Sequence, residues 1–153
     1  MGGIRGASGL EPVMSVAELR AFFVEAFPQA LGASGDETRV EEISPGRVLV
    51  RRKVSDANLR PGGTVSGPTM MALADHAMYA VILAHIGPVA LAVTTNLNIN
   101  FLRKPGLDDL LAEGRLLKLG KRLAVGEVTL FNEGEEDDPV AHVTSTYSIP
   151  PNR

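Results

Sequence analysis

The chain has 153 residues, of which 44% are apolar and 22% charged, with a formal net charge of -3. That length fits one domain with a real core, and the acidic balance offers no field for nucleic acid or an anionic membrane. Without cysteine there is no disulfide scaffold, thiol nucleophile or cysteine-bound metal, and without tryptophan and with only 5% aromatics there is little to stack bases on.

The Gly-rich start lacks the long apolar segment of a secretory signal, so a cytoplasmic protein is expected. Residues 1–14 read as a flexible tail ahead of a single domain over 15–153. Ser15 and Glu18 have capping-box spacing, and Leu19, Phe22, Phe23 and Ala26 recur at helical intervals before Pro28. A short helix over 15–27 is predicted. Strands follow at 37–44 and 47–54, joined by the turn Ser44-Pro45-Gly46. Residues 55–67 show no periodicity and predict a loop.

Pro68 suits a helix start, because its missing N–H has no partner to lose there. From Met70 to Ile86 the helix is apolar on nearly every side, and Gly87-Pro88 ends it. It approaches membrane-spanning length, but Asp75 and His76 near its middle are costly in hydrocarbon. A helix buried in protein is predicted instead.

Residues 89–101 alternate as a strand. Val89, Leu91, Val93, Leu97, Ile99 and Phe101 share one predicted face, opposite Ala90, Ala92, Thr94, Asn96, Asn98 and Asn100. Three more strands follow at 110–119, 122–132 and 139–148, the last after the acidic turn Glu133 to Asp138. One helix apolar all round, among six strands, predicts an α+β fold. A curved antiparallel sheet wraps around one long central helix, and its open edges can pair in an oligomer.

Asp75 lies in an apolar helix where only His76 is near in sequence. Its charge needs either a cleft in which to act or hydrogen-bond donors at a subunit interface. Gly67 lets a ligand approach the helix N-terminus closely, where free N–H groups can hold an oxyanion. The same residues also fit an ordinary loop-to-helix junction. Asp75 lies seven residues beyond Pro68, almost on the same helical face. Thr94 and the asparagines after it form a polar row that can fix a water or face solvent. His76, adjoining Asp75, points about 100° away from it. The three histidines are scattered and make no metal set. Among the basic residues, Arg103-Lys104 and Lys121-Arg122 can grip phosphates, whereas Arg51 to Lys53 read as a solvated strand end.

The run Gly67-Pro-Thr-Met-Met-Ala-Leu-Ala-Asp75, together with Val93 to Pro105, resembles the hotdog-fold acyl-CoA thioesterases of the phenylacetate-pathway (PaaI-like) type. The match rests on Leu73-Ala-Asp75 and Asn98-Ile-Asn-Phe-Leu-Arg-Lys-Pro105 and extends in element order over about 37–149. The resemblance implies hydrolysis of an acyl- or aryl-CoA thioester without a metal or other cofactor, coenzyme A being part of the substrate. It also implies a site at the interface of a homodimer or dimer of dimers. Asp75 takes the place of the family's base or nucleophile, and Gly67 that of the carbonyl-polarising glycine. Thr94 takes that of the water-holding hydroxyl supplied by the other subunit. Arg103, Lys121 and Arg122 become candidates for the coenzyme A phosphates.

Ser66 stands where the family has a histidine, Pro68 where it has a second glycine, and Arg60 where it has an asparagine, with Asn58 close by. The Ser66 replacement also favours an alternative, a non-catalytic acyl-CoA-binding protein. A hydratase of this fold needs a histidine near the helix start, where this chain has Ser66. Met70, Met71, Met78 and Tyr79 supply an apolar neighbourhood suited to medium or aryl acyl groups.

Overall fold

The computed structural model describes residues 9–151. Helix α1 (Val16–Ala26) starts at a complete capping box: the Ser15 hydroxyl accepts from Glu18 N–H, and the Glu18 carboxylate accepts from Ser15 N–H. Leu19 and Phe23 are its buried face. A 3-10 turn over Pro28–Leu31 leads into β1 (Thr38–Ser44) and β2 (Arg47–Arg52). The tail placed at 1–14 needs correction at its end. Residues 1–8 lie outside the described residues, but Leu10 is buried in the core, and the N–H groups of Val13 and Met14 both donate to Ala84 O. Packing therefore begins before Ser15.

The predicted loop at 55–67 contains a 3-10 turn at Asp56–Asn58 and two short paired strands, β3 (Leu59–Arg60) and β4 (Thr64–Val65). Helix α2 (Gly67–Ile86) begins one residue before Pro68, because Ser66 caps it by accepting from Thr69 N–H. After it come β5 (Val93–Phe101), β6 (Leu110–Leu119), β7 (Leu123–Asn132) and β8 (Ala141–Ser148). Strand β5 starts four residues later than its alternation predicts. Residues 89–92 instead form a turn, held by Ala92 N–H to Val89 O and by the Tyr79 hydroxyl to Ala90 O.

The six long strands make one antiparallel sheet in the order β1-β2-β6-β7-β8-β5, wrapped around α2. From Ala77 to Ala84 every residue of α2 is buried, so the one helix among the described residues that is apolar enough to cross a membrane is spent on the core. Two glycines let the sheet close on it. A Cβ at Gly114 would sit 3.1 Å from Ala77 O, and one at Gly126 would sit 2.6 Å from Arg115 O and 2.7 Å from the end of Met78. At the far end of α2, His85 Nδ1 donates to Val81 O and Nε2 accepts from Gly46 N–H, pinning the β1–β2 turn. Arg51 is not a solvated strand end: it pairs with Glu41, Asp109 and Glu133, which tie β1, β2 and the approaches to β6 and β8 together.

Candidate active site

Strand β5 carries a bulge between Thr94 and Asn96. Thr94 pairs with Tyr147, but Asn96 pairs with Thr146, so Thr95 is the extra residue. One inserted residue exchanges the two faces of a strand. Thr94 therefore points inward with Leu97, Ile99 and Phe101, whereas Asn96, Asn98 and Asn100 point outward. The strict alternation predicted from sequence placed Thr94 on the asparagine face, and the bulge corrects that.

Turned inward, Thr94 donates its hydroxyl to Asp75 Oδ1 at 2.7 Å. Tyr147, from β8, donates to the same oxygen at 2.8 Å and lies 3.1 Å from Asp75 O. Burial and the adjacent Asp75 charge push the Tyr147 phenol well above its ordinary range, so it stays a protonated donor. Both hydroxyls hold Oδ1, and Oδ2 carries neither bond. The carboxylate is thus oriented with one oxygen available to a ligand. The resemblance assigned the hydroxyl to the other subunit, but here Thr94 and Asp75 belong to one chain.

Asp75 lines a cavity of about 830 Å³ with Tyr79, Asn58, Pro68, Ala92 and Phe27 among its walls. Asn58 is buried; its side-chain carbonyl accepts from Ser55 N–H, and its backbone carbonyl accepts from Ser66 N–H, fixing the approach to α2. Tyr79 stacks near Tyr147 at 6.1 Å. Burial raises the Tyr79 phenol as well.

Several expected site residues lie elsewhere. Gly67 faces a second cleft of about 660 Å³, lined also by Arg60, Phe101, Arg103 and Lys104. The Phe101 ring lies 3.3 Å from where a Gly67 Cβ would be. Ser66 lines neither cavity and is engaged as the cap of α2, bonded also to the Thr69 hydroxyl at 2.8 Å. Met71 is exposed on α2 and lines neither cavity. Arg103 is committed to Glu135 and Asp138, at 3.1 and 3.0 Å. Lys121 and Arg122 sit exposed at the β6–β7 turn and line neither cavity. Register puts that turn at the Thr94 end of the sheet, since Leu123 and Val93 both pair with Ser148, whereas Arg103 follows the opposite end of β5.

Sequence reasoning missed Tyr147 and turned His76 away from Asp75, although both residues line the same cavity. Tyr147 lies 72 residues from Asp75, and the packing of β8 against α2 joins them. His76 is 6% exposed, lines the Asp75 cavity, and has no hydrogen-bond partner at either ring nitrogen among the described residues. Its ring packs 4.4 Å from that of Phe23. Burial, helped by the Arg52 charge, lowers its pKa to about 4, so it is neutral. No group of three or more His, Asp or Glu side chains placed to hold a metal occurs among the described residues.

A curved antiparallel sheet around one helix, with a hydroxyl-oriented carboxylate facing a cavity from mid-helix, defines a thioesterase of the hotdog class. Residues 62–138 match the Thioesterase superfamily, and the chain belongs to it. It is 51% identical to a candidate thioesterase from Silicibacter sp. TM1040, covering 94% of this chain and 96% of that one with a TM-score of 0.83. A phenylacetic acid degradation-related protein from Ralstonia eutropha is 26% identical, covering 85% of this chain and 97% of its own, with a TM-score of 0.73. A Streptococcus mutans protein solved with bound acetyl CoA is 28% identical over 75% of this chain and 90% of its own, with a TM-score of 0.65.

Proposed function

We propose that the chain hydrolyses acyl-CoA thioesters to a carboxylic acid and coenzyme A, with Asp75 as the reacting carboxylate. The observation that carries this reading is the double anchoring of Asp75 Oδ1 by Thr94 and Tyr147, which leaves Oδ2 to act. Oδ2 either takes a proton from water as it attacks the thioester carbonyl, or attacks that carbonyl itself and is released by water. Either route expels the coenzyme A thiolate and needs no metal. The acetyl CoA bound by the Streptococcus mutans relative supports a coenzyme A ester as ligand.

The oxyanion that develops needs donors, and Gly67 is the candidate, yet it faces the second cleft. Strand β5 reconciles the two. It is an edge strand, with Thr94 at one end and Phe101, beside Gly67, at the other. Pairing two copies of β5 antiparallel across a two-fold axis sets the Thr94 end of one against the Phe101 end of its mate. Asp75 then shares its site with Gly67 of the partner subunit. The exposed Leu91, Val93, Phe101 and Leu102 along this edge support such an interface. Across it, Arg103, Lys121 and Arg122 remain candidates for the coenzyme A phosphates. A cytoplasmic setting fits a substrate of this kind.

The test is thiol release from a panel of short, medium, long and aryl acyl-CoA esters, with Asp75→Asn as control. Turnover that falls by about 10²–10⁴ in the variant supports the assignment. Saturable ester binding without turnover in the unaltered protein would instead make it a receptor.

A further inference from the structure

The Asp75 cavity has an unexpectedly polar wall. Besides Asp75 it is lined by the end of α1 and the turn after it, by Arg52 and Thr38 on β2 and β1, and by His76. An acyl pocket for a plain hydrocarbon needs only apolar walls here. This one holds a guanidinium, a buried hydroxyl and an imidazole.

Arg52 is half-buried and donates from Nη1 to Thr38 Oγ1 at 3.0 Å, but it makes no ion pair among the described residues. Its neighbour Arg51 is paired with three carboxylates. The Glu37 carboxylate approaches the same spot beside Gly32 without closing a pair with Arg52. His76, more than nine-tenths buried, is one of the residues lining this cavity, and both its ring nitrogens are buried without a hydrogen-bond partner among the described residues. Buried polar groups are rarely left unpaired, because each such group costs about 1–3 kcal/mol. A cation that hydrogen-bonds to Thr38 but closes no ion pair, and a histidine without a partner, line one cavity with the reacting carboxylate and suit an anionic, hydrogen-bonding ligand group.

Resting on the thioesterase reading above, we propose that the acyl chain of the substrate ends in a carboxylate, received by Arg52 and His76 in the Asp75 cavity. Arg52 supplies the charge and a planar pair of donors, and neutral His76 donates one N–H to the same carboxylate once its ring turns toward the ligand. Thr38 holds the guanidinium in place. The substrates are then coenzyme A esters of dicarboxylic acids. The reaction that supplies them leaves or makes a free carboxyl at the end remote from the thioester.

The experiment compares esters matched in carbon number: butyryl with succinyl, hexanoyl with adipoyl, and octanoyl with suberoyl CoA, using the full chain. At the length that fits, kcat/KM for the carboxylate-ended ester is expected to exceed that for its methyl-ended match by about 10-fold or more. Arg52→Gln is expected to bring the ratio towards one, Arg52→Lys to restore part of it, and His76→Phe to reduce it. A ratio at or below one at every length, or a ratio that survives Arg52→Gln, overturns the proposal. So does equal preference for 6-hydroxyhexanoyl CoA, which would assign the pocket to a neutral polar end. If no ester is turned over, the thioesterase reading itself fails. Calorimetric binding of adipoyl against hexanoyl CoA then decides the pocket by the same ratio and the same variants.

Discussion

Thr94 reaches Asp75 because β5 is bulged between Thr94 and Asn96. Without Thr95 as the extra residue, the hydroxyl would stand on the outer face with the asparagines and the carboxylate would lose one of its two donors. The bulge thus re-aims one side chain from the sheet surface to the helix, a use to which bulges near active sites are often put. Tyr147 approaches the same oxygen from the neighbouring strand, so two adjacent strands grip one helical carboxylate.

This arrangement predicts coupled losses. A hydrogen bond to a charged group is worth about 1.5–3 kcal/mol, so Thr94→Val and Tyr147→Phe should each lower kcat by about 10- to 100-fold. Because both donors hold one oxygen, the double variant should lose less than the product of the single losses. Steady-state kinetics of the four proteins checks this, and strictly multiplicative losses would show that the two hydroxyls act independently.

Acid should destabilise the fold through His76. Its folded pKa of about 4 lies below the ordinary 6.5, so the unfolded chain takes up a proton first as pH falls. The sign follows from linkage: the contribution is complete above pH 6.5 and is lost between 6.5 and about 4. The slope from one such group is about 1.4 kcal/mol per pH unit. His85, lowered by burial, adds loss in the same direction below 6.5. Denaturant midpoints across this range should fall, and His76→Phe should flatten the fall.

Much of the fold was legible because local chemistry and tertiary demand agree. Ser15 and Glu18 announce α1 and form both bonds of its cap. The run from Met70 to Ile86 can be satisfied only by a sheet that surrounds it, as the structure shows. Asp75 was readable because a carboxylate in such a run needs donors. What could not be read depends on register. The alternation from Val89 onward looks continuous, since Val93 and Leu97 keep an even spacing across the bulge that separates their faces. Tyr147 and Arg52 each look like ordinary strand residues until pairing and packing bring them to the cavity.

Gly126 offers a test of how tightly helix and sheet are joined. An added methyl there meets the Arg115 carbonyl at 2.6 Å and the Met78 side chain at 2.7 Å. The methionine can shift, but the strand carbonyl cannot without disturbing the β6–β7 ladder. Gly126→Ala should therefore cost about 1–3 kcal/mol, the usual range for overpacking. Chemical denaturation measures it. An unchanged midpoint would mean that the two strands separate easily.

The edge formed by β5 carries the last prediction. Phe101 is 51% exposed and lies against Gly67, so in the proposed dimer it sits beside the composite site as well as within the interface. Phe101→Glu places a charge against the Val93 end of the mate's apolar edge, a cost that opposes pairing. Since the side chain is half-exposed in the single chain, the fold itself should survive. Light scattering should then report monomers with unchanged circular dichroism. Turnover should fall at least about 10²-fold, the worth of a lost oxyanion donor, although Asp75, Thr94 and Tyr147 remain in place. A folded monomer with full turnover would place the whole site within one chain and remove Gly67 of the partner subunit from it.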